Sequence, residues 1–494
     1  MANKAALELK KIRTLGELKK HGYSSKSIKT ELRDNLIGQL KTKEELFQGV
    51  HGYEETVIPD IQRALLARHN MIFLGLRGQA KTRMARSLVD LLDPVIPIVE
   101  GSDILDDPFN PISTFAKDLI NDKGDKTPIQ WVTREERYVE KLATPDVSVA
   151  DLIGDVDPIK AANLKLDYSD ERVIHYGLIP RSNRSIFVIN ELPDLQPRIQ
   201  VGLFNMLQEG DIQIRGFRMR LPLDVAFVFT ANPEDYTNRG SIITPLKDRI
   251  QSQILTHYAK SVELSQKITQ QEAKILPAQS EVVTVAPLLQ ELLELVAIEA
   301  RESELIDQKS GVSARLAITA YEHLIAAVER RILLSGENYS HARIADLLSI
   351  VPAITGKVEL VYEGEQEGAK YVALSLIGKA IRKKFPQVFP DPEFVKRHKK
   401  EDPYQEVIQW FTQNELDLLL DLPDPDFSKL IHQVSGLRGL VNHYAPGLNG
   451  DNELLLMEFV LHSLGEYNLL NKEVLETGIS FGDLMNNLFS PEED

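Results

Sequence analysis

The chain has no cysteine in its 494 residues. Disulfides, thiolate metal ligands and cysteine nucleophiles are therefore excluded. Tryptophan occurs twice and aromatic residues make up only 7%, which leaves the cores largely to aliphatic side chains. No apolar run approaches the roughly 20 residues of a membrane-spanning helix. The opening MANKAALELKKIRTLGELKK lacks the apolar core of a signal peptide. These absences point to a cytoplasmic protein with no membrane partner. Basic charge is also in deficit: 57 Lys and Arg stand against 73 Asp and Glu, a net charge of −16. Non-specific binding to phosphate backbones needs a basic face, so the balance argues against a nucleic acid partner.

What is present is ordinary for a globular protein, 43% apolar and 26% charged. The length suggests roughly two to four domains. Leu9, Ile12, Leu15 and Leu18, then Ile28, Leu32, Leu36 and Leu40, recur at helical spacing. They predict short amphipathic helices over 1–45, forming a solvated cap with basic faces. Residues 57–67 (VIPDIQRALLA) predict another helix, which leads into the most informative stretch, MIFLGLRGQAKT at 71–82.

There an apolar run meets a glycine-punctuated turn ending in Lys81-Thr82. The order predicts a buried strand, a phosphate-binding loop and a helix over 82–92. GLRGQAKT nearly fits G-x-x-x-x-G-K-[ST], with Ala80 replacing the second motif glycine. Such a loop turns backbone N–H groups onto phosphates, reaches the outer phosphates with lysine and offers Mg²⁺ a hydroxyl. Gly75 and Gly78 are expected to take unusual backbone angles, and Ala80 to be already helical. Gly75, Gly78, Gln79, Ala80, Lys81, Thr82 and Arg83 form the candidate nucleotide-binding set.

Residues 101–130, rich in Asp, Asn, Pro and Gly, predict an irregular insertion without a metal site, with Asp103, Asp106 and Asp107 in a solvated loop. A strand is expected at 137–142, then a polar excursion. IFVI at 186–189 ends in Asn190-Glu191, a polar pair that would face the ligand crevice from the carboxyl edge of a parallel strand. A Mg²⁺-organising residue and a water-orienting carboxylate belong there. A helix at 196–209 precedes a hairpin at 211–221 around Arg215-Gly216-Phe217. The buried strand 225–230 ends in Ala231-Asn232-Pro233, placing Asn232 to bond an attacking water or the terminal phosphate. Arg249 stands just before a short strand at 253–255. Helices follow at 260–274, 286–300 and 313–333, the last with Ser313 as N-cap and Arg315 in its first turn. A cation is unfavourable there for the helix, so Arg315 either serves a ligand or is an ordinary surface residue. The acidic, Gly-bounded segment 356–368 reads as a boundary. Helices at 369–385, 405–422 and 454–470 and a frayed end at 486–494 complete the chain.

Over about 52–351 the order of these parts resembles the AAA+ ATPases, in the branch holding the MoxR ATPases and the ATPase subunit of magnesium chelatase. GLRGQAKT is similar to the MoxR-type phosphate loop, where alanine also precedes the lysine. INELPDLQPRIQVGLFNMLQEGDIQIRG resembles the second nucleotide motif, its following helix and the pre-sensor hairpin, and 146–185 takes the place of the helix-2 insert. TANP resembles the sensor strand, making Asn232 the sensor. DRI resembles the arginine-finger segment, implying that Arg249 acts on a neighbour's ATP. SAR resembles the lid motif, implying that Arg315 contacts phosphates in its own subunit. The resemblance implies an α/β AAA+ P-loop core, a parallel sheet between helices, with a helical lid and further helical N- and C-terminal regions. The corresponding division is 1–45, 46–258, 259–355 and 356–494. It also implies ATP and Mg²⁺ as cofactors, with Thr82 and Asn190 toward the metal and Glu191 polarising water. The assembly would be a ring of copies of the chain, usually a hexamer.

Asn190 departs from the family's Asp-Glu pair, which predicts an active but slow or Mg²⁺-demanding ATPase. The leading function is ATP-driven remodelling of a partner protein, in this branch often a separate von Willebrand A protein; no D-x-S-x-S motif occurs in the chain itself. GLIPRSNRSIFVINELPDL also resembles enhancer-binding transcriptional activators, but their GAFTGA loop and a C-terminal helix-turn-helix are missing. A nucleotide-switched scaffold with little hydrolysis is the other alternative. Nothing suggests a porphyrin pocket for chelation itself.

Overall fold

The computed structural model describes residues 7–167, 170–214, 220–233, 241–398 and 400–484. It divides into two compact units, Met1–His257 and Tyr258–Asp494. The first is built on five parallel strands, β1 (Met71–Leu74), β2 (Tyr138–Leu142), β3 (Ser185–Asn190), β4 (Val225–Ala231) and β5 (Ser252–Leu255). Their order is β5-β1-β4-β3-β2. Every residue of β3 and β4 is buried, as a parallel sheet covered on both faces requires. Alternate side chains enter two separate cores. Met71, Phe73, Ile186 and Val188 pack under the helices Ile28–Thr42 and Val57–Leu66. Ile72, Phe187, Ile189, Phe227 and Phe229 pack against the segments between β2 and β4. The register pairs Leu74 with Ala231, and Phe229 with Ile189, so the carboxyl ends of β1, β4 and β3 lie together.

The N-terminal helix is not a solvated cap. Ile28 and Leu36 are fully buried, although Leu40 is exposed. The reason is polar as well as apolar. Glu31 receives two hydrogen bonds of 2.7 Å from Arg137, and both side chains are buried. Arg137 Nε donates to the Arg184 carbonyl, and the Asp93 amide donates to Glu31. The pair joins the helix to the start of β2, so its alternation of Lys and Glu with Leu misled the sequence reading.

Residues 101–130 are also more ordered than expected. Val95–Val99 pairs antiparallel with Ile129–Thr133, and the helix Thr114–Lys123 between them is capped by Ser113. Asp106 is fully buried, not solvated. It accepts hydrogen bonds from the Ile112 and Ser113 amides and from the Ser102 and Ser113 hydroxyls. Asp107, also buried, accepts from Ser25 and the Phe109 amide. These acids fold the loop by bonding local N–H groups. The helix expected at 196–209 breaks at Leu203 into Pro197–Gly202 and Phe204–Gln208. Asp211–Gln213 and Arg220–Pro222 pair as the predicted hairpin; its tip, Arg215, Gly216 and Phe217, lies outside the described residues.

In the second unit the long helices Pro287–Glu302, Arg315–Ser335, Ala369–Lys384 and Asp451–Glu466 share one apolar core. Residues 405–422 are not one helix: Gln405–Phe411 is helical, and Leu416–Leu419 is a strand. There Leu416 and Leu418 point inward while their neighbours face out, the period of two that marks a strand. It joins Gly478–Gly482 and Asn471–Val474 in an antiparallel sheet. The N-cap of the Arg315 helix is Ala314, while Ser313 accepts the Arg315 amide at 3.1 Å. The expected frayed end, 486–494, lies outside the described residues. Among the described residues no helix is long and apolar enough to cross a membrane.

The loop after β1 uses its small residues in three ways. Gly78 takes φ +74°. Gly75 does not; it is required for space, since a Cβ there would lie 2.0 Å from Thr256 Oγ1 and 2.2 Å from Gln79 Oε1. Ala80 is not helical as expected but left-handed, at φ 56° and ψ 16°, immediately before the helix Lys81–Ser87. A Cβ in that region costs roughly 1–2 kcal/mol.

Two stability predictions follow from these contacts. Glu31→Gln, by leaving the Arg137 charge buried and uncompensated, should cost about 3–5 kcal/mol in urea denaturation. Ala80→Gly should raise stability by about 0.5–1 kcal/mol, because relief of left-handed strain exceeds the added freedom of the unfolded chain. A loss instead would show that the Ala80 methyl group is held by packing that outweighs its strain.

Candidate functional site

A parallel sheet presents its functional edge at the carboxyl ends of its strands, beside the point where connections leave in opposite directions. Here that point is β1, flanked by β5 and β4. The loop that follows β1 delivers Lys81, whose side chain is only 7% exposed. A buried ammonium needs acceptors. Lys81 Nζ donates to the Gly75 carbonyl, to the Leu76 carbonyl at 3.0 Å and to Asn232 Oδ1 at 2.6 Å. Asn232 in turn donates through Nδ2 to Glu191 Oε2 at 3.0 Å. Three polar residues separated by up to 151 positions in sequence thus form one hydrogen-bonded chain across the ends of β1, β4 and β3.

Glu191 sits directly after β3 with φ 54° and ψ 50°. This is left-handed backbone in a non-glycine residue, held where its carboxylate reaches Asn232; such strain collects at functional positions. Its amide donates to Thr230 Oγ1 at 3.2 Å, and the Thr230 hydroxyl donates to Asn190 Oδ1 at 3.1 Å. Asn190, also buried, donates through Nδ2 to Glu140 Oε1 at 2.6 Å. Glu140, on β2, accepts from Arg86 Nε at 2.8 Å and Arg86 Nη2 at 3.1 Å, and from the Tyr138 hydroxyl at 3.1 Å. Partial burial pushes the Glu140 carboxyl up, but the hydrogen bonds from Arg86, Tyr138 and Asn190 outweigh it and hold the group below the usual carboxylate range. The same bond to Glu140 raises the Arg86 guanidinium.

The remaining sequence candidates fall into distinct places. Gln79 is buried and braces the loop: its Oε1 accepts from Thr256 at 2.6 Å and its carbonyl from Tyr53 at 2.9 Å. Thr82 is half-buried in the first turn after Lys81, and Arg83 is exposed. Arg249 closes the helix Thr244–Arg249; it donates to Gln208 Oε1 at 3.1 Å and to the Pro245 carbonyl at 2.7 Å, and stacks 4.7 Å over the Phe204 ring. Arg315 is the first residue of its helix in the second unit and is exposed. The structure therefore brings together Lys81, Asn232, Glu191 and Asn190. Sequence reading missed Thr230, Glu140 and Arg86. Thr230 was visible as the polar end of VAFVFT, whereas nothing in RYVEKL singles out Glu140.

Oxygen donors among the described residues here include the Thr82 hydroxyl, the Asn190 amide and the carboxylates of Glu191 and Glu140. They suit Mg²⁺, which takes oxygen ligands and is commonly held by one or two carboxylates together with phosphates and water. Among the described residues no group of three or more His, Asp or Glu is placed to hold a metal, so phosphate would have to share the ion.

No family model matches the chain. It is 24% identical over 208 residues to the magnesium-chelatase subunit ChlI-1 of Arabidopsis thaliana, covering 41% of this chain and 46% of that protein. To the magnesium-chelatase 38 kDa subunit of Rhodobacter capsulatus it is 27% identical over 182 residues, 36% of this chain and 46% of that protein. The chain thus spans about half the length of these curated relatives. A solved structure of the complex between subunits BchI and BchD of magnesium chelatase superimposes with a TM-score of 0.33 at 19% identity, over 65% of this chain and 98% of that one. Sequence similarity to the two magnesium-chelatase subunits, together with a parallel sheet that carries a phosphate-type loop at its edge, supports an AAA+ ATPase of the MoxR and magnesium-chelatase branch.

Proposed function

We propose that the chain binds ATP with Mg²⁺ at the edge formed by β1, β4 and β3, and hydrolyses it to remodel a partner protein from within a ring of its own copies. The observation that carries this reading is the hydrogen-bonded chain from Lys81 through Asn232 to Glu191. Each link is a group that nucleotide would re-employ. Lys81 exchanges carbonyl and amide oxygens for the outer phosphates. Asn232, released from Lys81, bonds the terminal phosphate or the attacking water. Glu191 takes the water's proton as general base. When bound, Mg²⁺ neutralises charge on the phosphates. Arg249, half-buried beside Gln208 and Phe204, would serve a neighbouring copy's nucleotide. Ring formation, usually hexameric, and a separate partner of the von Willebrand A type are extensions of the AAA+ kinship.

A second reading, a nucleotide-switched scaffold with little turnover, is favoured by one observation: Asn190, the residue proposed to face the metal, is buried and neutral. The two readings separate on kinetics. Lys81→Ala should weaken binding of a fluorescent ATP analogue at least 10-fold, while Glu191→Gln should bind it normally and lose about 10²–10⁴-fold in hydrolysis. Unaltered binding by Lys81→Ala would remove the nucleotide site from this edge. Normal binding with no hydrolysis by the parent chain, accompanied by a nucleotide-dependent change in oligomeric state, would support the scaffold.

A further inference from the structure

The neutral Asn190 leaves a charge to be accounted for. A Mg²⁺ ion beside nucleotide phosphates is ordinarily balanced by at least one protein carboxylate. Asn190 cannot supply it, and the structure does not leave the position unaccompanied: Glu140 Oε1 lies 2.6 Å from Asn190 Nδ2. The contact works only because residue 190 is an amide. An aspartate there would set two carboxylates against each other at hydrogen-bond distance, where both cannot stay ionised. Asn190 with Glu140 therefore carries a single negative charge across two adjacent strands, β3 and β2. The register puts the two side chains on one face of the sheet, since Glu140 is level with Val188, two residues before Asn190.

We infer that Glu140 is the anionic member of the Mg²⁺ site, its carboxylate taking over from the neighbouring strand the charge that Asn190 lacks. This rests on the nucleotide site proposed above. Glu140 is 22% exposed, so water and a hydrated ion can reach it, and its bidentate partner Arg86 is 64% exposed. With its guanidinium that exposed, the pair is screened by solvent, and a divalent cation can compete with Arg86 for the carboxylate. Arg86 belongs to the helix Lys81–Ser87 that begins at the phosphate loop, so release of the pair and filling of the loop involve the same element.

The test is the Mg²⁺ dependence of binding of a fluorescent, non-hydrolysable ATP analogue, measured on the full-length chain, with Mn²⁺ electron paramagnetic resonance as a second readout. Glu140→Gln should raise the half-saturating Mg²⁺ concentration about 10-fold. Adding Asn190→Asp to that variant returns a carboxylate to β3 and should restore the parent value to within about threefold. A Glu140→Gln curve superimposed on the parent's, or a double variant no better than Glu140→Gln, would overturn the inference while leaving the nucleotide site intact. Failure of the parent chain to bind the analogue at any Mg²⁺ concentration would instead overturn the nucleotide reading on which it rests.

Discussion

A buried ammonium organises this molecule. Lys81 sits at the carboxyl edge of a parallel sheet, almost out of water, and three of its acceptors come from elements that meet there. Two are carbonyls of the turn after β1, which Gly75 and Gly78 keep compact. The third is Asn232 at the end of β4, which lies beside β1 because the sheet inserts β4 between β1 and β3. The hydrophobic cores on the two faces fix that order and register. The polar edge is thus a consequence of how Phe73, Val188, Phe187 and Phe229 are buried.

Charge compensation is the second theme. Beside the end of β3 the Asn190 amide, the Glu140 carboxylate of β2 and the Arg86 guanidinium form one hydrogen-bonded cluster, in which the negative charge of Glu140 faces the positive charge of Arg86. At the start of β2, Glu31 and Arg137 form a fully buried pair that joins the N-terminal helix to the sheet. In both places a polar contact between segments far apart in sequence decides what the neighbouring apolar packing can do.

Much of this was legible in the sequence, and the reasons are physical. Strands β1, β3 and β4 announce themselves as apolar runs, because buried parallel strands carry no polar face. Glu191 and Asn232 were found because each follows such a run, and the phosphate-loop lysine because it closes the glycine-punctuated turn after one. What escaped was set by partners rather than by local pattern. Asp106 reads as solvated until the amides of Ile112 and Ser113 close around it. Ala80 reads as the start of a helix until the turn forces it left-handed. Leu416 and Leu418 read as more helix because Leu419, Leu420 and Leu422 each stand three or four residues from one of them, which is helical spacing. Glu140 lies in a strand with nothing unusual in it, and acquires meaning only when Asn190 is placed alongside.

The most direct test of this account is a crystal structure of the chain with a non-hydrolysable ATP analogue and Mn²⁺, the ion located by its anomalous signal. The account predicts phosphates in the loop 75–82 with Lys81 Nζ moved from Asn232 onto them, and Mn²⁺ between Thr82 and the Asn190–Glu140 pair. Analogue bound away from this loop at saturating concentration, or Lys81 still on Asn232 with phosphate present, would contradict it.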